Sequence, residues 1–340
     1  MKKILTVIAM LLLGGGAGYA QQDAMFTKYM FNSLIFNPAY AGSKDYMSVG
    51  ILHRTQWAGF EGAPTTQSVT LHSPLRNERV GVGFSLINDE IGPTNSFGAN
   101  LSYAYRIPVG KNGGKFSIGL QGGIENYRAR LTELDLEDQG DIVFGDNVNI
   151  WNPNFGVGLF YYTRNFYAGV SCPHLIEYEL LPQNQQSGGG PTTAIYARNY
   201  RHYYFTMGTA IPLKGDNLIF KPSILVKNVG IDKSFSSDEA FVNVGAPTEF
   251  DLDLSLLFQQ TFWIGTSFRA GLQSFGSNAK TSYDSADVWF SWNMSNGLRL
   301  GAAYDYPLTE INTVTAGSFE VMLGYEFNYT TKATVTPRYF

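Results

Sequence analysis

Four histidines are the first residues whose chemistry asks for a role: His53, His72, His174 and His202. A hydrolase would set a serine and an orienting acid or amide around one of them. The chain contains neither a G-x-S-x-G elbow nor an H-E-x-x-H motif, which leaves an outer-membrane lipid hydrolase as the remote reading. His53 and His72 fall near the ends of the first two expected strands, where an interfacial or inward-facing histidine is ordinary. The one cysteine, Cys172, excludes an internal disulfide framework. An acidic run, Glu133, Asp135, Glu137, Asp138, Asp141 and Asp146, faintly echoes a calcium loop from Asp135 onward. Glu137, Gln139 and Asp146 depart from the usual ligands, so a solvated acidic loop is the plainer reading. No catalytic residue, cofactor or metal site is expected.

Strand alternation dominates the chain that carries these residues. Ser318 to Tyr329 puts Phe319, Val321, Leu323, Tyr325, Phe327 and Tyr329 on one face and Ser318, Glu320, Met322, Gly324, Glu326 and Asn328 on the other. Two glutamates on an otherwise small and polar face suit a wet lumen with lipid on the far side. Other segments repeat the pattern. Phe97, Ala99, Leu101, Tyr103, Tyr105 and Ile107 oppose a face holding Arg106, and Phe116, Ile118, Leu120 and Ile124 oppose one ending in Glu125. Phe250, Leu252, Leu254, Leu256 and Phe258 oppose Asp251 and Asp253, and Leu298, Leu300, Ala302, Tyr304 and Tyr306 oppose Arg299 and Asp305. Arg106, Glu125, Asp251, Asp253, Arg299 and Asp305 are therefore the candidate lumen-lining charges. Lysine or arginine on the lipid face at mid-membrane costs about 2–4 kcal/mol, which is why the charges must sort this way.

The spacing predicts an all-β fold, a transmembrane antiparallel β-barrel of about 14 strands. The strands are expected near 46–57, 66–73, 80–88, 96–107, 115–126, 154–162, 166–171, 201–211, 218–227, 249–258, 262–269, 287–293, 298–306 and 318–329. The sixth, seventh and twelfth carry aromatics on both parities, and Pro222 interrupts the ninth because it cannot donate to a ladder. Short turns follow even-numbered strands, as at Lys111–Gly114 and Ser295–Gly297, and long connections near 127–153, 172–200, 228–248 and 270–286 follow odd-numbered ones. Short periplasmic turns opposite long extracellular loops are the asymmetry of such barrels. Loops 127–153 and 172–200 are the candidate contact surfaces.

The ends and the composition agree with export. Lys2 and Lys3, the apolar run Ile4–Leu13 and the small residues Gly18 and Ala20 predict a signal peptide over residues 1–20. The apolar run is well short of the ~20 residues a membrane helix needs. Residues 21–45 show no period of two and are expected to form an N-terminal segment that is periplasmic or plugs the lumen. The barrel is placed at 46–329 and a periplasmic tail at 330–340. Charged residues and aromatics each make up 15% of the chain, with 37 glycines, a balance that fits aromatic girdles and small lumen residues better than a charge-coated soluble surface. Loss of Lys2 and Lys3 would move the formal charge from −4 to −6, which argues against a nucleic-acid partner.

Gln22-Asp23, Phe26, Tyr29-Met30-Phe31-Asn32, Asn37-Pro38-Ala39-Tyr40-Ala41-Gly42, Arg54-x-Gln56-Trp57 and Gly62-Ala63-Pro64 resemble the opening of the PorP/SprF family. The similarity continues through Asp89-Glu90-x-Gly92, Asn154-Phe155-Gly156-x-Gly158, Tyr304-Asp305-Tyr306, Phe319-Glu320-Val321 and Pro337-Arg338-Tyr339-Phe340, nearly the whole mature chain. Ala24 replaces the usual Pro, and Phe319 stands where a His often precedes the glutamate. The motif positions are Asn37, Pro38, Gly42, Arg54, Gln56, Trp57 and Glu320, and Glu320 is expected to face Arg54 or a neighbour across the closing seam. The resemblance implies a non-enzymatic outer-membrane barrel of the type IX secretion system of Bacteroidetes. It would act as export partner or surface anchor of a large secreted adhesin-like protein, gliding adhesins included, that carries a C-terminal sorting domain. A core barrel contacting the periplasmic ring of the machine and a passive pore for small solutes are the alternatives. Outer-membrane lipid, the secreted substrate and ring components are the implied partners.

Overall fold

The computed structural model describes residues 25–76, 78–110, 113–133, 147–179, 198–230, 248–272 and 281–327. The leader, the acidic run beyond Glu133, much of the 172–200 loop and the C-terminal tail lie outside them. Fourteen strands form one closed antiparallel barrel. They are β1 (Ser48–Thr55), β2 (Thr65–Pro74), β3 (Val80–Ile91), β4 (Thr94–Val109), β5 (Gly114–Ala129), β6 (Val148–Tyr162) and β7 (Phe166–Cys172), then β8 (His202–Thr209), β9 (Leu218–Val229), β10 (Thr248–Phe258), β11 (Phe262–Leu272), β12 (Thr281–Asn293), β13 (Leu298–Pro307) and β14 (Ser318–Glu326). Each pairs with its sequence neighbours, and β14 closes onto β1 from Ser48↔Glu326 to Thr55↔Phe319. Closure gives every strand a hydrogen-bonded neighbour on each side, which is how a sheet meets the demands of hydrocarbon.

The outer face is apolar. Leu101 is 67% exposed and Val321 59%, with Leu120, Ile264, Val288 and Phe319 in the same belt. An apolar surface of this extent is stable only against lipid or another protein. Inward positions of the same strands are buried and polar, among them Ser102, Ser117, Ser255, Ser267 and Ser291.

Several elements depart from the spacing-based expectation. β5 reaches Ala129 and β6 starts at Val148, so this part of the wall is taller than its sequence pattern suggests. There the inner residues Val148 and Ile150 are apolar, which masks the alternation. β3 and β4 run to Ile91 and from Thr94, leaving a two-residue turn at Gly92-Pro93 on the long-loop side. In β9 the ladder to β8 runs to Gly208↔Ser223 and resumes at Ile211↔Phe220. The missing pairs face Pro222 and Lys221, where the imino acid has no N–H to give.

Residues 25–45 lie inside this ring. They form a 3-10 turn (Tyr29–Phe31), a single α-helical turn, α1 (Ser33–Phe36), and a second 3-10 turn (Pro38–Tyr40). The apolar core lies between this segment and the inner wall. One cluster joins Phe26, Tyr29, Met30 and Phe36 to Tyr204, Trp263 and Trp289, and another joins Leu34, Ala39, Tyr40 and Ala41 to Phe160, Tyr162 and Tyr167.

Candidate functional site

The inner segment descends through the barrel. Its start contacts the long-loop half of the wall, where the Arg269 guanidinium donates to the Phe26 carbonyl (3.2 Å), and its end reaches the turn side, where Lys44 meets Glu326 (2.9 Å). Residues 25–45 thus run inside the barrel through most of its height.

Its loop-side end is held by charge. The Glu320 carboxylate accepts the consecutive backbone N–H groups of Thr27 (2.8 Å) and Lys28 (3.0 Å). Arg54, paired in register with Glu320 across the β1–β14 seam, lies 3.6 Å from it and 2.7 Å from Asp305, and also donates to the Thr27 hydroxyl. The Thr27 hydroxyl is within 2.8 Å of the Asp305 carboxylate. Lys28 Nζ reaches Asp287 (2.8 Å), Asp253 (3.4 Å) and the Ser267 hydroxyl (2.5 Å). It also sits 5.3 Å from the centre of the Trp289 ring, whose Nε1 donates to Asp253 (2.8 Å). Asp251 pairs with Arg269 at 2.7 Å. Lys28, Arg54, Asp253, Asp305 and Glu320 are all buried. Buried ion pairs of this kind specify one docked arrangement more than they add net stability, but removing one partner is costly.

The turn-side end is held by shape and backbone bonds. The Asn37 side chain accepts from Ala39 N–H (2.9 Å), capping the turn that Pro38 starts, and donates to the Leu159 carbonyl (3.0 Å). The Ser117 hydroxyl donates to the Ala39 carbonyl (2.7 Å), and Arg106 donates to the carbonyls of Gly42 and Val80. Gly42 has φ +66°, and a Cβ there would stand 2.6 Å from Gly81 Cα, so the bend that turns the chain toward β1 needs glycine. A Cβ on Gly119 would stand 2.1 Å from Ala39 N, so the wall itself is cut back to admit the segment. Between the two ends Asn32 donates to Ser68 (2.8 Å) and Tyr29 to Ser223 (2.9 Å).

Of the six candidate lumen charges, Arg106, Asp251, Asp253 and Asp305 contact the inner segment or the charged groups that hold it. Arg299 stacks over the Phe31 ring (5.4 Å) and pairs with Glu326 (3.2 Å). Glu125 stands apart on the loop side, 2.7 Å from His174. Gln56 and Trp57 lie at the loop-side end of β1, where Gln56 N–H donates to the Pro64 carbonyl (2.9 Å) and Trp57 N–H to the Ser318 hydroxyl (3.2 Å). Lys28, Arg269, Asp287 and Lys44 were not singled out by spacing. Arg269 shares the parity of Ser267 and was legible on that ground, whereas Lys28 and Lys44 lie in a segment without a period.

The histidines are scattered. His53 is on the outer face of β1, and the inward His72 accepts from Gly42 N–H (3.2 Å). His202 is buried with Nδ1 2.9 Å from the Tyr200 carbonyl. Cys172 is buried and donates to the His174 carbonyl. Among the described residues no cluster of three or more His, Cys, Asp or Glu is placed to hold a metal ion. On the loop side of Phe26 and Phe36 a cavity of about 380 Å³ remains between the inner segment and β3–β5.

Comparison with solved structures returns outer-membrane proteins. Omp33 of Acinetobacter baumannii superposes with TM-score 0.44 at 9% identity, covering 84% of this chain and 100% of that one. BamA of Haemophilus ducreyi gives 0.41 at 12% identity (84% and 71% covered), and a KdgM porin 0.37 at 9% (82% and 99%). Comparison with curated protein sequences finds no match. The family model described as "Type IX secretion system membrane protein PorP/SprF" matches residues 18–325. The chain belongs to the PorP/SprF family of type IX secretion system membrane proteins, and it is a β-barrel of the outer membrane.

Proposed function

We propose that the protein is a non-enzymatic partner of type IX secretion that helps export a large adhesin-like polypeptide, or holds it at the cell surface by a C-terminal sorting domain. The observation that carries this reading is the occupied lumen. A segment fixed to the wall by buried charge at one end and by close backbone fit at the other obstructs passive diffusion. It leaves the rims, above all the long-loop side, as the working surface. The family supplies the secretion context.

Deleting the gene tests the reading through the surface and medium proteomes. One cognate exported protein should be lost from the surface or released into the medium while other type IX substrates stay in place. Retention of every substrate, or loss of all of them together, would overturn the dedicated-partner role.

A further inference from the structure

The cavity above the inner segment has a lopsided chemistry. β3, β4 and β5 present successive inward residues to it, and in register Asp89 faces Ser96, Gly98 faces Glu125 and Ser96 faces Tyr127. Two carboxylates, Asp89 and Glu125, stand in the lining, Asp89 accepting from the Thr66 hydroxyl and Glu125 lying 2.7 Å from His174, itself a lining residue; no lysine or arginine among the described residues lines the cavity. Deeper, Gln121 is only 6% exposed and its Oε1 has no hydrogen-bond partner. Asn199 at the rim likewise carries an unpartnered buried Oδ1. Buried acceptors without donors are rare in folded proteins, and each one asks for an explanation. Apolar surface lies beside them, from Ile35 on the inner segment and Ile87 and Ile91 on β3, together with the Tyr127 ring.

We propose that this cavity is a binding site for a lysine or arginine side chain of an extended polypeptide entering from the long-loop side. An alkyl stem would lie along the isoleucines and the tyrosine ring, as long basic side chains pack on apolar surface. The cationic head carries donors only, which match the two orphan amide oxygens beside carboxylates that can each accept more than one hydrogen bond. A neutral sugar offers acceptors as well as donors and would leave that excess uncorrected. A bare metal ion is far smaller than a space in the range of organic-ligand pockets. The proposal deepens the export-partner reading by naming how a secreted polypeptide would be gripped. The two fail separately, because peptide affinity of the purified barrel is independent of which surface proteins a deletion strain loses.

The test is calorimetric titration of the folded full chain in detergent with the peptides acetyl-Gly-Arg-Gly-amide and acetyl-Gly-Lys-Gly-amide. Acetyl-Gly-Gln-Gly-amide and maltose serve as neutral probes. Saturable binding of the two basic peptides is expected, weakened by added salt, with no saturation by either neutral probe. Glu125→Gln should weaken it at least tenfold, and Asn199→Ala, outside the barrel strands, several-fold. Heat-modifiable gel migration reports whether each variant still forms the barrel. Absence of saturable basic-peptide binding, equal or tighter binding of a neutral probe, or unchanged affinity in both folded variants would overturn the site.

Discussion

Lys28 shows how much a single side chain can decide inside the lumen. It is fully buried between Asp253 and Asp287, with Ser267 and the Trp289 ring completing its surroundings. Lys28→Met would strand two carboxylates in a dry site, and we expect a loss of about 3–5 kcal/mol of unfolding free energy. The shift of the urea midpoint measures it. Replacing Lys28, Asp253 and Asp287 together by apolar residues of similar volume should recover only part of that loss, because the stranded charges go with the partner while Trp289 Nε1 and the Ser267 hydroxyl lose their acceptor. At this scale the sequence was half legible. Asp253 could be read from strand parity, since only one face of a membrane strand tolerates a carboxylate. Lys28 could not, because its short turns carry no period and its partners lie on strands more than 200 positions away.

The elements were readable where one face meets lipid and less so where the other meets protein. β6 and β12 blurred because Phe160, Tyr162 and Trp289 are inward aromatics packed against the inner segment, so both parities look apolar. The fit at the turn side yields a second prediction. Gly119→Val places carbon where Ala39 N stands, so the Asn37–Gly42 end should leave its seat. The variant should keep heat-modifiable migration yet conduct in planar bilayers. A third concerns the β10–β11 turn, closed by Thr261 N–H to the Phe258 carbonyl, where Gln259 (φ 48°) and Gln260 (φ 55°) both occupy the left-handed region. That geometry favours Asn-Gly. The double variant Gln259→Asn, Gln260→Gly should raise stability by about 1 kcal/mol, read from the urea midpoint.

At the scale of the molecule, strand number, closure and the placement of short and long connections all follow from a period of two interrupted by turn residues. What the sequence withheld is the course of residues 25–45. A polar lumen lined by Arg106, Asp251 and Asp305 reads as a water-filled pore until the segment that fills it is placed. With the segment in position the same charges become its moorings, and a porin-like lumen becomes an obstructed one. Planar-bilayer recording of the purified full chain tests this account most directly. The wild-type barrel should be electrically silent, while a variant lacking residues 25–45 that still shows heat-modifiable migration should open a steady conductance. Steady ohmic conduction by the wild-type protein, at the level of the truncated variant, would contradict it.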